Sequence, residues 1–278
     1  KVTVYLPDNN LKKGYFALFK EIFFELKDNG WLTYQLFKRD FFASYKQSFV
    51  GFFWVFILPL ISVLTFVLLK RAGVFTTGDI SVPYPVFAIS SMAFWQIFSA
   101  GIIASANSFV KAGDMIIKIN FSRKSLVIAS VAQAIIGFFV QLLLIGGLLV
   151  FYKMKVGVGL FLLPFVIIPS ILFTLGLGFI FSILNGVIRD VANILSIGVT
   201  FLMFLTPVLY TKPDSGILSV ISKYNPLYYI VSSGRDLIIK GRLSEPGGFV
   251  IFAVFSIFVF VTCLLIFHLT ETRIAERV

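Results

Sequence analysis

The chain has 278 residues, of which 58% are hydrophobic, 17% are aromatic and only 13% are charged. Soluble domains carry about 25% charged residues, so this composition excludes an ordinary water-soluble protein and indicates a chain that folds in lipid. The net charge of +11 does not indicate a nucleic-acid partner, because the cations lie in patches between apolar runs instead of on one basic face.

Residues 1–48 precede the first long apolar run and are predicted to form amphipathic helices at the membrane surface. From Leu11 to Asp28, apolar residues recur at helical spacing while Lys and Glu mostly occupy the other side. Packing of this helix on a soluble domain is the alternative. Gly30 is expected to end it, because glycine suits a left-handed cap. A more basic helix is predicted from Trp31 to Ser48.

Residues 49–278 are predicted to form a transmembrane domain, because six segments are each long enough to cross a core of about 30 Å. The predicted spans cover about residues 49–69, 84–110, 125–152, 161–188, 191–210 and 249–269. The second and third spans carry Gln96, Gln133 and Gln141, and polar side chains inside a membrane usually face a protein interior or a cavity. The fold class is therefore predicted to be an all-α polytopic membrane protein.

Six spans place both termini on the same side of the membrane. Of the 24 Lys and Arg residues, 15 fall on the side of the termini, and cytoplasmic segments carry the excess of cations. The sequence therefore predicts cytoplasmic N- and C-termini.

The segment 111–124 joins the second and third spans on the predicted cytoplasmic side. It carries four cations and one acid, yet Met115, Ile116, Ile117 and Ile119 are apolar. An apolar centre with a charged rim suits a protein groove better than water. We interpret this segment as a contact for a partner protein.

Residues 211–248 form a long connection on the opposite side. They are predicted to contain two short helices that are each too short and too charged to cross the membrane, separated at Asn225-Pro226. The acids on this side are interpreted as solvated loop charges: Asp79, Asp214, Asp236 and Glu245.

Several kinds of chemistry are missing from the sequence. No GxxxxGK[ST] loop occurs, so the chain is not expected to hydrolyse ATP, and no catalytic residue is assigned. No metal-binding pattern is found, and His268, the one histidine, is interpreted as an interfacial residue. No carboxylate lies mid-span, which weakens a proton-driven mechanism.

Aromatic residues are abundant, with 34 Phe in the chain. Most are expected to face lipid or to pack between helices. One subset is a candidate lining for a glycan pathway, because aromatic faces stack on sugar rings without needing a fixed hydrogen-bond pattern. This subset comprises Phe52, Phe53, Trp54 and Phe56 in the first span and Phe201, Phe204 and Tyr210 in the fifth.

Short motifs spread over nearly the whole chain resemble those of a known family. They are Arg39-Asp40-Phe41 with Tyr45-Lys46-Gln47-Ser48 and Gly51, Trp54 and Pro59, Lys118-Ile-Asn-Phe-Ser-Arg123, Arg189-Asp190, Thr206-Pro207-Val208-Leu209-Tyr210, and Tyr224-Asn225-Pro226-Leu227. In this order they resemble the ABC-2 type membrane subunit of bacterial polysaccharide ABC exporters, which move lipid-linked O-antigen or wall teichoic acid. Ser122 stands where that family usually has proline.

The resemblance implies a homodimer in the bacterial inner membrane that works with two copies of a separate ATPase subunit. ATP and Mg would bind that partner, so this chain would need no cofactor. The N-terminal helix would be an interface helix, and the two short helices of residues 211–248 would be re-entrant gates. A coupling helix would contact the ATPase through Asp114, Met115, Ile116, Ile117, Lys118 and Ile119.

The implied substrate is a polysaccharide linked to polyprenyl pyrophosphate. Its pyrophosphate needs cations near the cytoplasmic surface, and Lys38, Arg39 and Lys46 are the candidates. Contact of these cations with headgroups of membrane lipids is the alternative. Three other functions stay open at this point: an ABC-2 exporter of a drug or simple lipid, an ion-coupled transporter, and a membrane enzyme acting on polyprenyl-linked sugars.

Overall fold

The computed structural model of the chain describes residues 15–46, 49–73, 78–113, 122–155 and 157–274, and within these ranges it contains helices and no strand. The α-helices are α1 (Tyr15–Asp28), α2 (Gly30–Tyr45), α3 (Trp54–Arg71), α4 (Tyr84–Ala106), α5 (Ser108–Ala112), α6 (Lys124–Phe151), α7 (Leu163–Val187), α8 (Val191–Leu205), α9 (Ile217–Tyr224), α10 (Pro226–Lys240) and α11 (Pro246–Ile274). Short 3₁₀ turns at Gly51–Phe53 and Val158–Leu162 precede α3 and α7.

Five helical segments are long and apolar enough to cross a membrane. They are Gly51–Arg71, Tyr84–Ala106, Lys124–Phe151, Val158–Val187 and Pro246–Glu271. This confirms an all-helical, multi-pass architecture.

The segment predicted as a span over residues 191–210 contains only the 15-residue helix α8. At 1.5 Å per residue this helix is about 22 Å long, which is short for a crossing. Thr206 ends it in an extended conformation, because a residue before proline is disfavoured in the helical region and Pro207 cannot continue the helix.

The first two helices follow each other almost without a break. The backbone N–H of Asn29 donates to the carbonyl of Glu25 at 3.0 Å, and the N–H of Thr33 donates to Asn29 at 2.9 Å. The predicted left-handed cap at Gly30 is wrong, since this glycine has no positive φ. The Asn29 side chain bonds the Glu25 carbonyl at 2.8 Å, so it satisfies the helix end without a left-handed residue.

Helix α4 lies at the centre of the bundle and α3 at its edge. In an 18-residue apolar stretch of α4, about 72% of the residues are buried, but only 6% are buried in the corresponding stretch of Gly51–Arg71, which contains α3. Helix α4 packs against α3, α6, α7, α8 and α10.

A small residue lets helices α7 and α11 approach closely. A Cβ on Gly176 of α7 would lie 2.9 Å from the Cα of Phe260 on α11. Close approach at small residues is how helices associate in lipid.

The connections between the membrane-length helices gather at two ends of the bundle. At one end, the Tyr84 hydroxyl donates to the Leu209 carbonyl at 3.2 Å. At the other end, the Asn185 amide donates to the Ala106 carbonyl at 2.9 Å. We call these the outer and the inner end. Helix α1 and the last turn of α11 meet at the inner end, where Glu25 and Glu271 share a partner.

Candidate functional site

The six residues predicted to contact the ATPase, at positions 114–119, lie outside the described residues. Both flanks of that segment are described. Helix α5 ends at Ala112, Gly113 follows with φ of 47°, and Ser122, Arg123 and Lys124 lead into α6. The contacts of these flanks show what the segment is attached to.

Lys124, the first residue of α6, is fully buried between two carboxylates. Its Nζ lies 2.9 Å from Glu25 Oε2 and 3.1 Å from Glu25 Oε1, and it also donates to Glu271 Oε1. The side chain of Lys124 has 0% exposure. One lysine therefore joins helices α1, α6 and α11, whose residues lie about 100 and 150 positions apart in the chain.

Three neighbours complete this charge cluster. Ser122 Oγ donates to Glu25 Oε1 at 2.6 Å, and the Arg123 guanidinium donates to the backbone carbonyl of Glu271. The Nδ1 of His268 lies 3.1 Å from Glu271 Oε1, so a proton on Nδ1 makes it a donor to that carboxylate. His268 is buried within the bundle, and its interpretation as an interfacial residue stays a prediction. We call Glu25, Ser122, Arg123, Lys124, His268 and Glu271 the inner charge cluster.

The electrostatics of the cluster favour the ionised form of Glu25. Burial acts to raise the pKa of Glu25, but the Lys124 ammonium and the Ser122 hydroxyl outweigh it, so this pKa lies below its ordinary value. The ligand atoms of Glu25, His268 and Glu271 lie within 4.8 Å of one another, as in a metal site. Lys124 already brings a positive charge to both carboxylates, so we interpret the group as an ion-pair cluster.

An apolar layer lies beneath the cluster. Phe109 of α5 is buried and its ring lies 5.9 Å from that of Phe267 on α11. Ile22 and Leu36 belong to the same buried group. The helices α1, α2, α5 and α11 are therefore packed together where the segment 114–121 leaves and rejoins the bundle.

Asn185, near the end of α7, makes a second attachment at this end. Its amide donates to the Ala106 carbonyl, and its Oδ1 accepts the backbone N–H of Ala192 at 2.9 Å. Asn185 is 1% exposed. It thus ties the end of α4 to the start of α8.

The cations predicted to bind pyrophosphate lie on or next to α2, at the inner end. Lys38, Arg39 and Lys46 are all exposed, and Arg39 Nε pairs with Asp40 Oδ1 at 2.7 Å. The three cations are therefore accessible to a ligand from outside the chain.

The predicted pathway aromatics divide into two groups. Phe52 contacts Phe41 and Phe56, with ring centroids 5.9 and 5.8 Å apart. The other α3-side residues, Phe53 and Trp54, are exposed, as are Phe201 and Phe204 on α8. The Tyr210 hydroxyl donates to the Phe204 carbonyl at 2.8 Å. Helices α3 and α8 both pack on α4.

The outer end holds a different buried cation, Arg235 of α10. Its Nη1 donates to Ser91 Oγ at 3.1 Å and to the Pro207 carbonyl at 3.0 Å. The guanidinium lies 4.4 Å from the ring centre of Phe87, a cation–π distance. We call Ser91, Phe87, Pro207 and Arg235 the outer cage.

The interpretation of Asp236 as a solvated loop charge is wrong. It is 6% exposed, with Oδ1 at 3.2 Å from Lys240 Nζ and Oδ2 accepting the Ser244 N–H. Most of α10 is buried, and the helix packs against α4 and α7, so its buried polar residues need internal partners.

Glu245 is also paired. Its Oε1 accepts from Lys212 Nζ at 2.7 Å and from the Tyr228 hydroxyl at 2.9 Å. Burial acts to raise the pKa of Glu245, but these two hydrogen bonds and the lysine charge hold it below its ordinary value. Asp79 and Asp214 are exposed.

Five helical segments of membrane-spanning length and composition, packed into one bundle, define a multi-pass membrane protein. Residues 32–239 match the family model of the ABC-2 type transporter, so the chain belongs to that family. The predicted family is confirmed. Its members are membrane subunits that are not themselves catalytic, and the family implies a partner ATPase subunit in an ABC exporter.

Three curated relatives are each called O-antigen export system permease protein RfbA. Two are from Klebsiella pneumoniae: one is 28% identical over 86% of this chain and 91% of its own length, the other 28% over 74% and 79%. The third, from Myxococcus xanthus, is 27% identical over 91% of this chain and 98% of its own length.

Sequence reasoning missed the inner charge cluster and the outer cage. A signal for the first exists: His268 and Glu271 are three residues apart and so share a helix face, and Lys124 begins an apolar run. Nothing in the sequence indicates that Arg235 meets Ser91 and Pro207, because that contact depends on how α10 folds back onto α4.

Proposed function

We propose that this chain is the membrane subunit of an ATP-driven exporter that moves polysaccharide linked to polyprenyl pyrophosphate across the bacterial inner membrane. Two copies would form the pathway, and two copies of a separate ATPase would bind ATP and Mg. The glycan would be an O-antigen or a teichoic acid. The observation that carries the proposal is similarity to O-antigen export permeases along 86–91% of the chain in two relatives.

The proposed topology has six crossings with both termini in the cytoplasm. Helix α8 with residues 206–210 would make the fifth crossing, and α1 would be the interface helix. Helices α9 and α10 would be the re-entrant gates. The 8- and 15-residue lengths of these helices and the burial of α10 support this assignment.

The inner charge cluster would carry force from the ATPase into the membrane helices. Pressure on Met115–Ile119 would reach Lys124 along the chain, because only a few residues separate them. From Lys124 the movement would pass to α1 through Glu25 and to α11 through Glu271. Asn185 would pass it to α8. The α3 and α8 helices of the two copies would then separate, and their exposed aromatic residues would line the opening.

The substrate pyrophosphate would bind the cations of α2. A diphosphate accepts charge-assisted hydrogen bonds from Lys and Arg, and Asp40 already holds the Arg39 guanidinium in place. A strain lacking this chain, complemented with an Arg39→Ala/Lys46→Ala variant, tests the site. Export of surface glycan should fall while the amount of assembled transporter stays normal.

A matched control is Lys153→Ala/Lys155→Ala, which removes two exposed cations from the outer end. It should leave export unchanged. Normal export by the Arg39→Ala/Lys46→Ala variant would exclude the pyrophosphate site. Surface glycan that persists when the whole chain is deleted would exclude glycan export and favour a drug or simple lipid as substrate.

The contact with the ATPase has its own test. Ile117→Asp places a charge in the apolar centre of the segment, so the ATPase should no longer co-purify while the helices still insert. Normal co-purification would shift the contact to the N-terminal helices. Transport by vesicles that hold the chain without any ATPase would instead identify an ion-coupled transporter, and chemical turnover of a polyprenyl-linked sugar by the purified chain would identify an enzyme.

A further inference from the structure

A pocket of about 170 Å³ lies at the outer end of the bundle, next to the outer cage. Helix α10 contributes Tyr228, Arg235 and Lys240 to its wall. Residues 79–82, which precede α4, contribute another part of the wall. Phe87 also lines the pocket, and its ring centre lies 4.4 Å from the Arg235 guanidinium. The pocket therefore borders the buried guanidinium of the outer cage.

The Arg235 guanidinium has donors that the chain does not use. Its hydrogen bonds to Ser91 and to the Pro207 carbonyl both come from Nη1. Within the part of the chain that the structure describes, Nε and Nη2 meet no acceptor, and no carboxylate lies within ion-pair distance of the guanidinium. Neither of these two nitrogens is completely enclosed by protein atoms. A ligand in the pocket can therefore reach them.

Two acids near the pocket are already paired with lysines. Lys240 Nζ lies 3.2 Å from Asp236 Oδ1, and Lys212 Nζ lies 2.7 Å from Glu245 Oε1. Each of these pairs has no net charge. Neither acid is therefore available to neutralise Arg235.

Asp79 is the remaining acid of the wall, and it is exposed. Water and salt screen an exposed charge much more than a buried one, and Arg235 is only 7% exposed. A buried charge is costly unless it is paired. The positive charge of Arg235 is therefore best compensated by an anion that enters the pocket.

A phosphate group fits these donors better than a carboxylate group. The planar fork of an arginine matches two oxygens of either anion. Ser81 and Ser244 also line the pocket, and their hydroxyls are further donors. A carboxylate has no oxygen left for them once the guanidinium holds both of its oxygens, whereas a phosphate does.

We propose that this pocket, which we call the outer pocket, binds a phosphate group, with Arg235 Nε and Nη2 donating to its oxygens. Ser81 donates to another oxygen, so the bound phosphate joins residues 79–82 to α10. The headgroup of a membrane lipid and a soluble phosphate present the same oxygens to this site. The site does not depend on which substrate the chain exports.

The test is native mass spectrometry of the purified full-length chain in a neutral detergent. Inorganic phosphate and the short-chain phospholipid dioctanoyl phosphatidylglycerol are the two probes, and dioctanoylglycerol is the control lipid without phosphate. At least one probe should bind with one copy per chain, and the control lipid should not bind. Binding of inorganic phosphate alone identifies a soluble ligand, and binding of the phospholipid alone identifies a lipid headgroup.

Ser81→Asp places a carboxylate in the pocket and leaves the contacts of the outer cage unchanged. Repulsion between like charges should lower the apparent affinity for the bound probe by roughly tenfold. Ser215→Asp adds the same charge at an exposed position that does not line the pocket. It should leave the affinity almost unchanged.

Asp79→Asn removes a negative charge that competes with the phosphate and should raise the affinity several-fold. This variant keeps its value if Ser81→Asp fails to fold. Asp214→Asn removes the same charge at an exposed position outside the pocket and should not change the affinity. Arg235 itself is left unchanged, because its loss would also weaken the outer cage.

The outer pocket is overturned if neither probe binds, or if acetate binds as well as inorganic phosphate. It is also overturned if Ser81→Asp and Ser215→Asp lower the affinity equally, because the probe would then follow the net charge of the surface. Binding that neither Ser81→Asp nor Asp79→Asn changes would overturn it as well. None of these results affects the proposed export of glycan.

Discussion

Both ends of the helical bundle bury a cation, but the two cations meet different partners. At the inner end the Lys124 ammonium lies between the carboxylates of Glu25 and Glu271. At the outer end the Arg235 guanidinium meets the neutral oxygens of Ser91 and Pro207 and the ring of Phe87. Each is almost inaccessible to water.

We interpret the inner charge cluster around Lys124 as a movable contact between helices, which we call the joint, and the outer cage around Arg235 as a fixed contact. The inner charge cluster joins three helices through side-chain ion pairs, which can separate and re-form when the neighbouring segment moves. The outer cage includes a backbone carbonyl and a packed ring, which are fixed by the helices around them. We infer that movement enters at the inner end and that α10 stays attached to α4 at the outer end.

The largest expected effect is at Lys124. Lys124→Met removes the cation and leaves Glu25 and Glu271 facing each other, and breaking a buried ion pair in this way costs about 3–5 kcal/mol. The free energy of unfolding, measured by SDS titration in mixed micelles, should fall by that amount. Lys111→Met changes the same charge at an exposed position and should have almost no effect. If both variants lowered the free energy of unfolding equally, the buried ion pairs of Lys124 would not be what joins the three helices.

A smaller loss is expected at the outer cage. Arg235→Met removes two hydrogen bonds from a charged donor, each modest in net terms, and costs about 2–3 kcal/mol. Arg242→Met, at an exposed position of the same region, is the control. The comparison fails if Arg235→Met costs more than Lys124→Met in the same titration.

Gly234 tests the anchoring of α10 without changing charge. A Cβ at this position would overlap the ring of the fully buried Phe94 of α4. Gly234→Ala should therefore lower the free energy of unfolding by about 1–2 kcal/mol. Gly146→Ala adds the same methyl group where nothing lies within 4 Å, and should be neutral or stabilising. A neutral Gly234→Ala would show that α10 is free to move off α4.

The smallest effect is a pH dependence at the inner end. The folded-state pKa of Glu25 lies below its ordinary value of about 4.5. Its charge therefore stabilises the fold above that ordinary value, and the contribution is lost as the pH falls through the lower folded-state pKa. The difference in stability between wild type and Glu25→Gln should be fully present above the ordinary pKa of about 4.5 and should shrink as the pH falls below it.

Glu245 allows the same pH measurement at the outer end. Its pKa is also lowered, by Lys212 and Tyr228, so Glu245→Gln should show a pH dependence of the same sign. The inner assignment would be contradicted if Glu25→Gln differed from wild type equally at all pH values.

The sequence predicts the helical membrane architecture well because apolar length is a local property. Each of the long spans is visible as an uninterrupted apolar run, and the family is visible in short motifs such as Arg39-Asp40 and Arg189-Asp190. The end of α8 at Leu205 was harder to predict, because the segment 191–210 stays apolar beyond the helix. Only the dihedral restriction before Pro207 marks the true end.

The charged partners could not be predicted in the same way. Glu25, Lys124 and Glu271 are separated by 99 and 147 positions, and their contact depends on three helix ends meeting in space. Asp236 looked solvated because it lies between Arg235 and Lys240 in a segment too charged to cross the membrane. Its burial follows from α10 packing on α4 and α7, which no local pattern encodes.

The most direct test of the central claim is the amount of glycan exported per ATP hydrolysed. The transporter with its ATPase partner is reconstituted in proteoliposomes as wild type and as Glu25→Gln/Ser122→Ala, which weakens the joint without removing Lys124. The account predicts normal ATPase co-purification and continued hydrolysis, with glycan exported per ATP falling several-fold. An unchanged ratio, at equal amounts of assembled complex, would contradict the role of the inner charge cluster as the joint between ATPase and membrane helices.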